Sequence, residues 1–67
     1  MNSPKYPDVH VQLVGEDGNA FAILGRVQAA MKNAKVPQAD QDAFMKEATA
    51  GDYDHLLRTC MEWVDVI

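Results

Sequence analysis

Val9, Val11 and Leu13 alternate with His10, Gln12 and Val14. A period of two sends alternate side chains to opposite faces, so this stretch predicts a half-buried strand with Val9, Val11 and Leu13 facing a core. From Ala20 the period changes. Ala20, Leu24, Val27, Met31 and Ala34 step by four and three, with Ile23 and Ala30 beside them. At about 100° per residue these seven positions span about 120°, the width of a core-facing helical stripe. The helix is expected to run to Ala34 or Lys35, because Pro37 disfavours helical backbone in the residue before it.

A second helix fits from Pro37 or Gln38 to Ala50. Asp40 and Asp42 sit near the positive end of its dipole. Phe44 and Ala48 are four apart, with Ala43 alongside. Gly51 is placed to close this helix in a left-handed conformation. Asp52 then caps a third helix, in which Tyr53, Leu56, Leu57, Cys60, Met61 and Val64 fall at i, i+3, i+4, i+7, i+8 and i+11. The end, Trp63–Ile67, fits either a helix end or a short strand. A lone strand leaves backbone groups unpaired. Val9–Val14 therefore needs a partner, either the C-terminal VDVI, a strand of a second chain, or both.

The expected fold class is α+β. One N-terminal strand leads into three helices, and a short C-terminal strand is one of the two ways to pair the first. Residues 9–67 form the single domain. Residues 1–8, with Pro4 and Pro7, are expected as an extended arm.

Composition narrows the setting. A chain of 67 residues buries only about 60% of the surface it exposes unfolded. Its stability must come from helix packing or a partner chain. The lone Cys60 cannot form an internal disulfide, so a reducing cytoplasm is the expected compartment. The start lacks the apolar core of a signal peptide. The longest apolar run, Ala20 to Leu24, is far too short to span a membrane. The net charge is −4 and the six basic residues are scattered. Phosphate backbones repel such a chain, which disfavours nucleic acid as a partner.

Candidate chemistry is sparse. The turn GEDGN carries Gly15 and Gly18 but no Lys-Ser/Thr pair, and its spacing is not that of a dinucleotide-binding loop. Glu16 and Asp17 would repel a phosphate. The favoured reading is a strand-to-helix turn capped by Asn19. An anion held by Gly15, Gly18 and Asn19, with Arg26 further along the helix, is the alternative. His10, His55 and Cys60 are the only classical transition-metal ligands, and on a helix His55 and Cys60 point apart. No catalytic residue, cofactor or metal is assigned.

Four residues stand outside this frame as a protein-interaction surface. Phe21 lies about 100° around the first helix from Ala20. Gly25 costs about 1 kcal/mol in mid-helix relative to alanine. It forms a small-residue face with Ala22 and Ala29, suited to close approach by another backbone. Tyr53 and Trp63 add aromatic area of the kind that anchors interfaces. The competing reading packs Phe21 and Trp63 on each other or on the sheet.

The stretches VHVQLVGEDGNAFAILGRV and FMKEATAGDYDHLLRTCMEWVDV resemble a family of small bacterial and phage proteins of unknown function. The resemblance implies no activity. It implies a phage or mobile-element origin and a host protein as partner, by analogy. The functional expectation is a non-catalytic interaction or regulatory protein, homodimeric and cytoplasmic. The alternative is a small anion- or nucleotide-binding or enzymatic protein with a site formed across a dimer.

Overall fold

A computed structural model describes residues 3–13 and 19–67. The element order is β1 (Tyr6–Val11), α1 (Ala20–Asn33), α2 (Gln38–Ala48), α3 (Tyr53–Trp63) and β2 (Val64–Val66). β1 and β2 pair in parallel, with Tyr6 opposite Val64, His10 opposite Asp65 and Val11 opposite Val66. The C-terminal VDV is thus a strand, and it pairs with the first within the chain. Parallel strands need a long crossover, and the three helices supply it. Val9 and Val11 are buried while Asp8 and His10 are exposed, so the core lies against one face of the sheet.

β1 begins at Tyr6, inside the stretch expected as an arm, and ends at Val11, so Gln12 and Leu13 of the expected strand lie beyond it. Hydrogen bonds help to hold its start there. Lys5 N donates to Glu62 O at 2.9 Å, and the Tyr6 hydroxyl donates to the Asp40 carboxylate. Val14 lies outside the described residues.

α1 starts where its cap places it. Asn19 Oδ1 accepts from Phe21 N at 2.8 Å, satisfying one free amide of the first turn. Ile23, Leu24, Val27 and Met31 are buried along the expected stripe. The helix closes on Lys35, which has φ 62°. Val36 N donates to Met31 O at 3.0 Å and Lys35 N to Lys32 O at 3.1 Å. This double bonding is the Schellman closure, and its left-handed position favours glycine. A side chain there costs about 1 kcal/mol. Lys35→Gly should therefore stabilise the protein by about 1 kcal/mol, raising the midpoint by roughly 4–8 °C in a thermal melt.

α2 ends at Ala48 with Thr49 as its cap, two residues short of Ala50. Gly51 does not close it in a left-handed turn. Its role is steric: a Cβ there would sit 2.8 Å from Cγ of His55. The His55 ring needs that space because its Nε2 donates to Glu47 O at 2.8 Å, tying the end of α2 to the start of α3.

α3 begins on the expected cap, with Asp52 Oδ1 accepting from His55 N at 2.9 Å. Its buried face is rotated from the expected stripe. Leu56, Thr59, Cys60 and Trp63 are buried, while Tyr53 and Met61 are exposed. Thr59 can enter the core because its hydroxyl donates to His55 O at 2.8 Å. Trp63 enters because it brings far more apolar area than Met61. Val64 then takes an extended conformation (φ −135°, ψ 164°), so helix passes to strand with no loop.

Candidate functional site

The starts of α1 and α3 lie side by side and enclose an open groove. Ala20, Phe21 and Leu24 line it from α1, Ala48 and Thr49 from the end of α2, and Gly51, Asp52, Tyr53 and Leu56 from the next turn. Its volume is about 280 Å³. Two caps build it. Asn19 fixes the first turn of α1 and Asp52 that of α3. Leu24 and Leu56 belong to the core, so the groove floor is rigid. Phe21 stands at its edge with 83% of its surface exposed, and Tyr53 with 44%. A phenyl ring this exposed on a capped, well-packed helix is held in water by its position off the core stripe.

The structure thus brings Phe21 and Tyr53 to one groove and separates them from Trp63. Trp63 is buried, not presented as an anchor. Tyr6 stacks on it with ring centroids 6.3 Å apart. Phe44 meets it edge-on at 5.9 Å. Its indole Nε1 donates to Glu47 Oε2 at 3.1 Å, and Lys5 Nζ lies 4.5 Å from the ring centroid. The competing reading of Trp63, packing on the sheet, describes its surroundings through Tyr6. It does not describe Phe21.

Gly25 also departs from expectation. It is exposed, and a Cβ built on it meets nothing within 4 Å. No described backbone comes close to it. Gly25, Gln28, Ala29 and Lys32 instead line a shallow depression with Gln38 and Gln41 of α2. Gln41 is buried there because its Nε2 donates to Val36 O at 2.9 Å.

Of the alternative anion site, Gly15 and Gly18 lie outside the described residues. The Asn19 side chain caps α1, and Arg26 is exposed two turns along the same helix. Among the described residues no three His, Cys, Asp or Glu converge as metal ligands. His10 Nδ1 lies 2.7 Å from Asp65 Oδ2 across the β1–β2 ladder, on the open face of the sheet. A side-chain contact this exposed contributes little to stability.

Among the described residues two groups are electrostatically displaced. Burial pushes the Cys60 thiol up to about 11, which keeps it an inert core residue at neutral pH. The Tyr6 hydroxyl is raised by its hydrogen bond to Asp40, then by burial and the Asp40 charge. Both favour neutral, structural side chains. Tyr6 and Lys5 were hidden in the sequence by their neighbours Pro4 and Pro7, which read as an extended arm.

The fold and groove define a class in outline: a small α+β protein with a two-stranded parallel sheet and a partly exposed aromatic groove between helix starts. Comparison with protein-family models, curated proteins and solved structures found no match. Among the described residues no helix is long and apolar enough to cross a membrane.

Proposed function

We propose that this chain is a non-catalytic protein-binding module, homodimeric, that docks a partner protein in the groove between α1 and α3. The observation that carries the reading is Phe21, 83% exposed on the edge of an apolar groove that also holds Tyr53. An exposed aromatic beside a rigid apolar floor is the usual anatomy of an interface anchor. The resemblance to small bacterial and phage proteins supports a host protein as the class of partner.

Phe21→Ala tests it. The ring is exposed, so folding stability should change by no more than about 0.5 kcal/mol. Binding should weaken by about 2 kcal/mol or more, roughly 30-fold. The measurement is capture from host lysate on immobilised protein, followed by titration of the captured protein against wild type and variant. A partner retained equally by both, or no specific partner at all, rules out the groove.

A further inference from the structure

Among the described residues β1 is paired along one edge, by β2. Ile67 N donates to Val11 O at 2.8 Å, and Leu13 N donates to Ile67 O at 3.3 Å. Val9 and Val11 of β1, and Leu13 just beyond its end, therefore turn their backbone groups toward β2 and Ile67. His10 and Gln12 turn theirs the other way, and no described strand pairs with that edge. The two halves of the free edge differ. Toward the N-terminus, Pro7 lacks a donor and the register shifts between Tyr6 and His10. Both features discourage strand addition. From Val9 to Leu13 there is no proline and no lysine, so this half carries neither guard.

We propose that this unguarded half pairs with the same stretch of a second copy, antiparallel about a two-fold axis at Val11. The result is a four-stranded sheet with the two β1 strands at its centre. The proposal deepens the homodimeric part of the functional reading and rests on it. The register follows from the side chains. Centred on Val11, Val9 faces Leu13 of the partner subunit and Val11 faces the partner's Val11, apolar against apolar on the helix-covered side. Gln12 faces His10 of the partner subunit on the open side, and these two exchange backbone hydrogen bonds. Centring on His10 would set Leu13 against Pro7 of the partner subunit and histidine against histidine.

The helical layer supports the same axis. α1 packs on β1, and one of its flanks faces α2. By helical spacing the opposite flank carries Ala22, Arg26 and Ala30. An axis normal to the sheet puts both helical layers on one side, with this flank of each α1 turned toward the other copy. A two-stranded sheet is marginal by itself, and pairing doubles it.

Sedimentation equilibrium tests the dimer, and two substitutions test the edge. Wild type should sediment as a dimer. Gln12→Pro removes an outward amide at an exposed site and should sediment as a monomer with an unchanged circular dichroism spectrum. Residues that exchange hydrogen bonds have Cα atoms about 5.5 Å apart, within disulfide range. Mixed His10→Cys and Gln12→Cys chains should therefore oxidise to a linked dimer, and neither chain should do so alone. The cysteine pair decides the matter if Gln12→Pro does not fold, and buried Cys60 does not compete. A monomeric wild type overturns the interface and the homodimeric reading together. A dimer that persists in folded Gln12→Pro, or a mixture that does not cross-link, overturns this interface alone and leaves the groove reading standing.

Discussion

Trp63→Ala is expected to remove half or more of the protein's stability at 25 °C. A domain of this length has a total stability of about 3–10 kcal/mol. Truncating a buried tryptophan to alanine removes about 3–5 kcal/mol of it. Trp63 sits at the upper end because several neighbours depend on it. Tyr6 stacks on its face, Phe44 meets its edge, and Glu47 accepts its indole N–H. Losing the ring exposes the side of Phe44, which is otherwise completely buried, and leaves Tyr6 stacked on nothing. β1 is held at its start by that same Tyr6, so the damage extends to the sheet. Trp63→Phe is the control. It keeps the ring contacts, loses the Glu47 bond and should cost much less, about 1–2 kcal/mol. Urea unfolding followed by circular dichroism measures both, since fluorescence would lose its only tryptophan. A Trp63→Ala midpoint near that of wild type would mean that the ring is peripheral to the core.

Raising the pH from 9 to 11 is expected to destabilise the fold by on the order of 2 kcal/mol through Cys60. The thiol ionises near 9.0 when free and near 11 when folded, because burial penalises the thiolate. A group whose folded value is raised stabilises the native state below the unfolded value. That contribution is lost as pH rises from 9 through 11, since the unfolded chain gives up its proton first. The size follows from about 1.4 kcal/mol per unit of displacement. Cys60→Ala lacks the group, so its stability should fall less steeply over this window. Tyr6, whose hydroxyl is displaced in the same direction, contributes to the residual slope. Urea midpoints at several pH values compare the two chains. Parallel curves would show that the thiol is not desolvated. Native protein should also react slowly with thiol reagents at pH 8, and unfolding should expose Cys60 to them.

The strand–helix–helix–helix order was legible because each element has its own local signal. Val9, Val11 and Leu13 alternate; Ile23, Leu24, Val27 and Met31 form a stripe; Asn19 and Asp52 are caps. Each depends only on residues within a few positions. The groove was half legible. Phe21 is off the stripe by helical geometry alone, and that placed it in solvent. Tyr53 and Met61 fitted the stripe equally well on paper, yet they are exposed. Which flank of α3 turns inward depends on what faces it, and there Trp63 and Thr59 displaced them.

Lys35 shows the same limit at a turn. Its neighbours gave no glycine to mark a left-handed residue, because the closure of α1 is held by bonds back to Met31 and Lys32. Gly51 carried the usual mark of such a closure and serves another need, space for the His55 ring. Gly25 looked like a contact point and faces open space. A glycine signals that a Cβ is absent, not which neighbour, if any, uses the room.

Local sequence determined the elements, their caps and the apolar face of β1 and α1, because periodicity and capping act over one or two turns. Only the tertiary structure decided three further things. The C-terminal VDV became a strand because β1 offered it an edge 55 residues away, His10 against Asp65. The N-terminal Lys5 and Tyr6 joined the fold because Trp63, Glu62 and Asp40 were there to receive them. Phe21 and Tyr53 met in one groove because the α2–α3 turn brings two helix starts together. Each is a contact between residues far apart in the chain. Its energy exists only once the intervening helices have packed, so no local pattern can carry it.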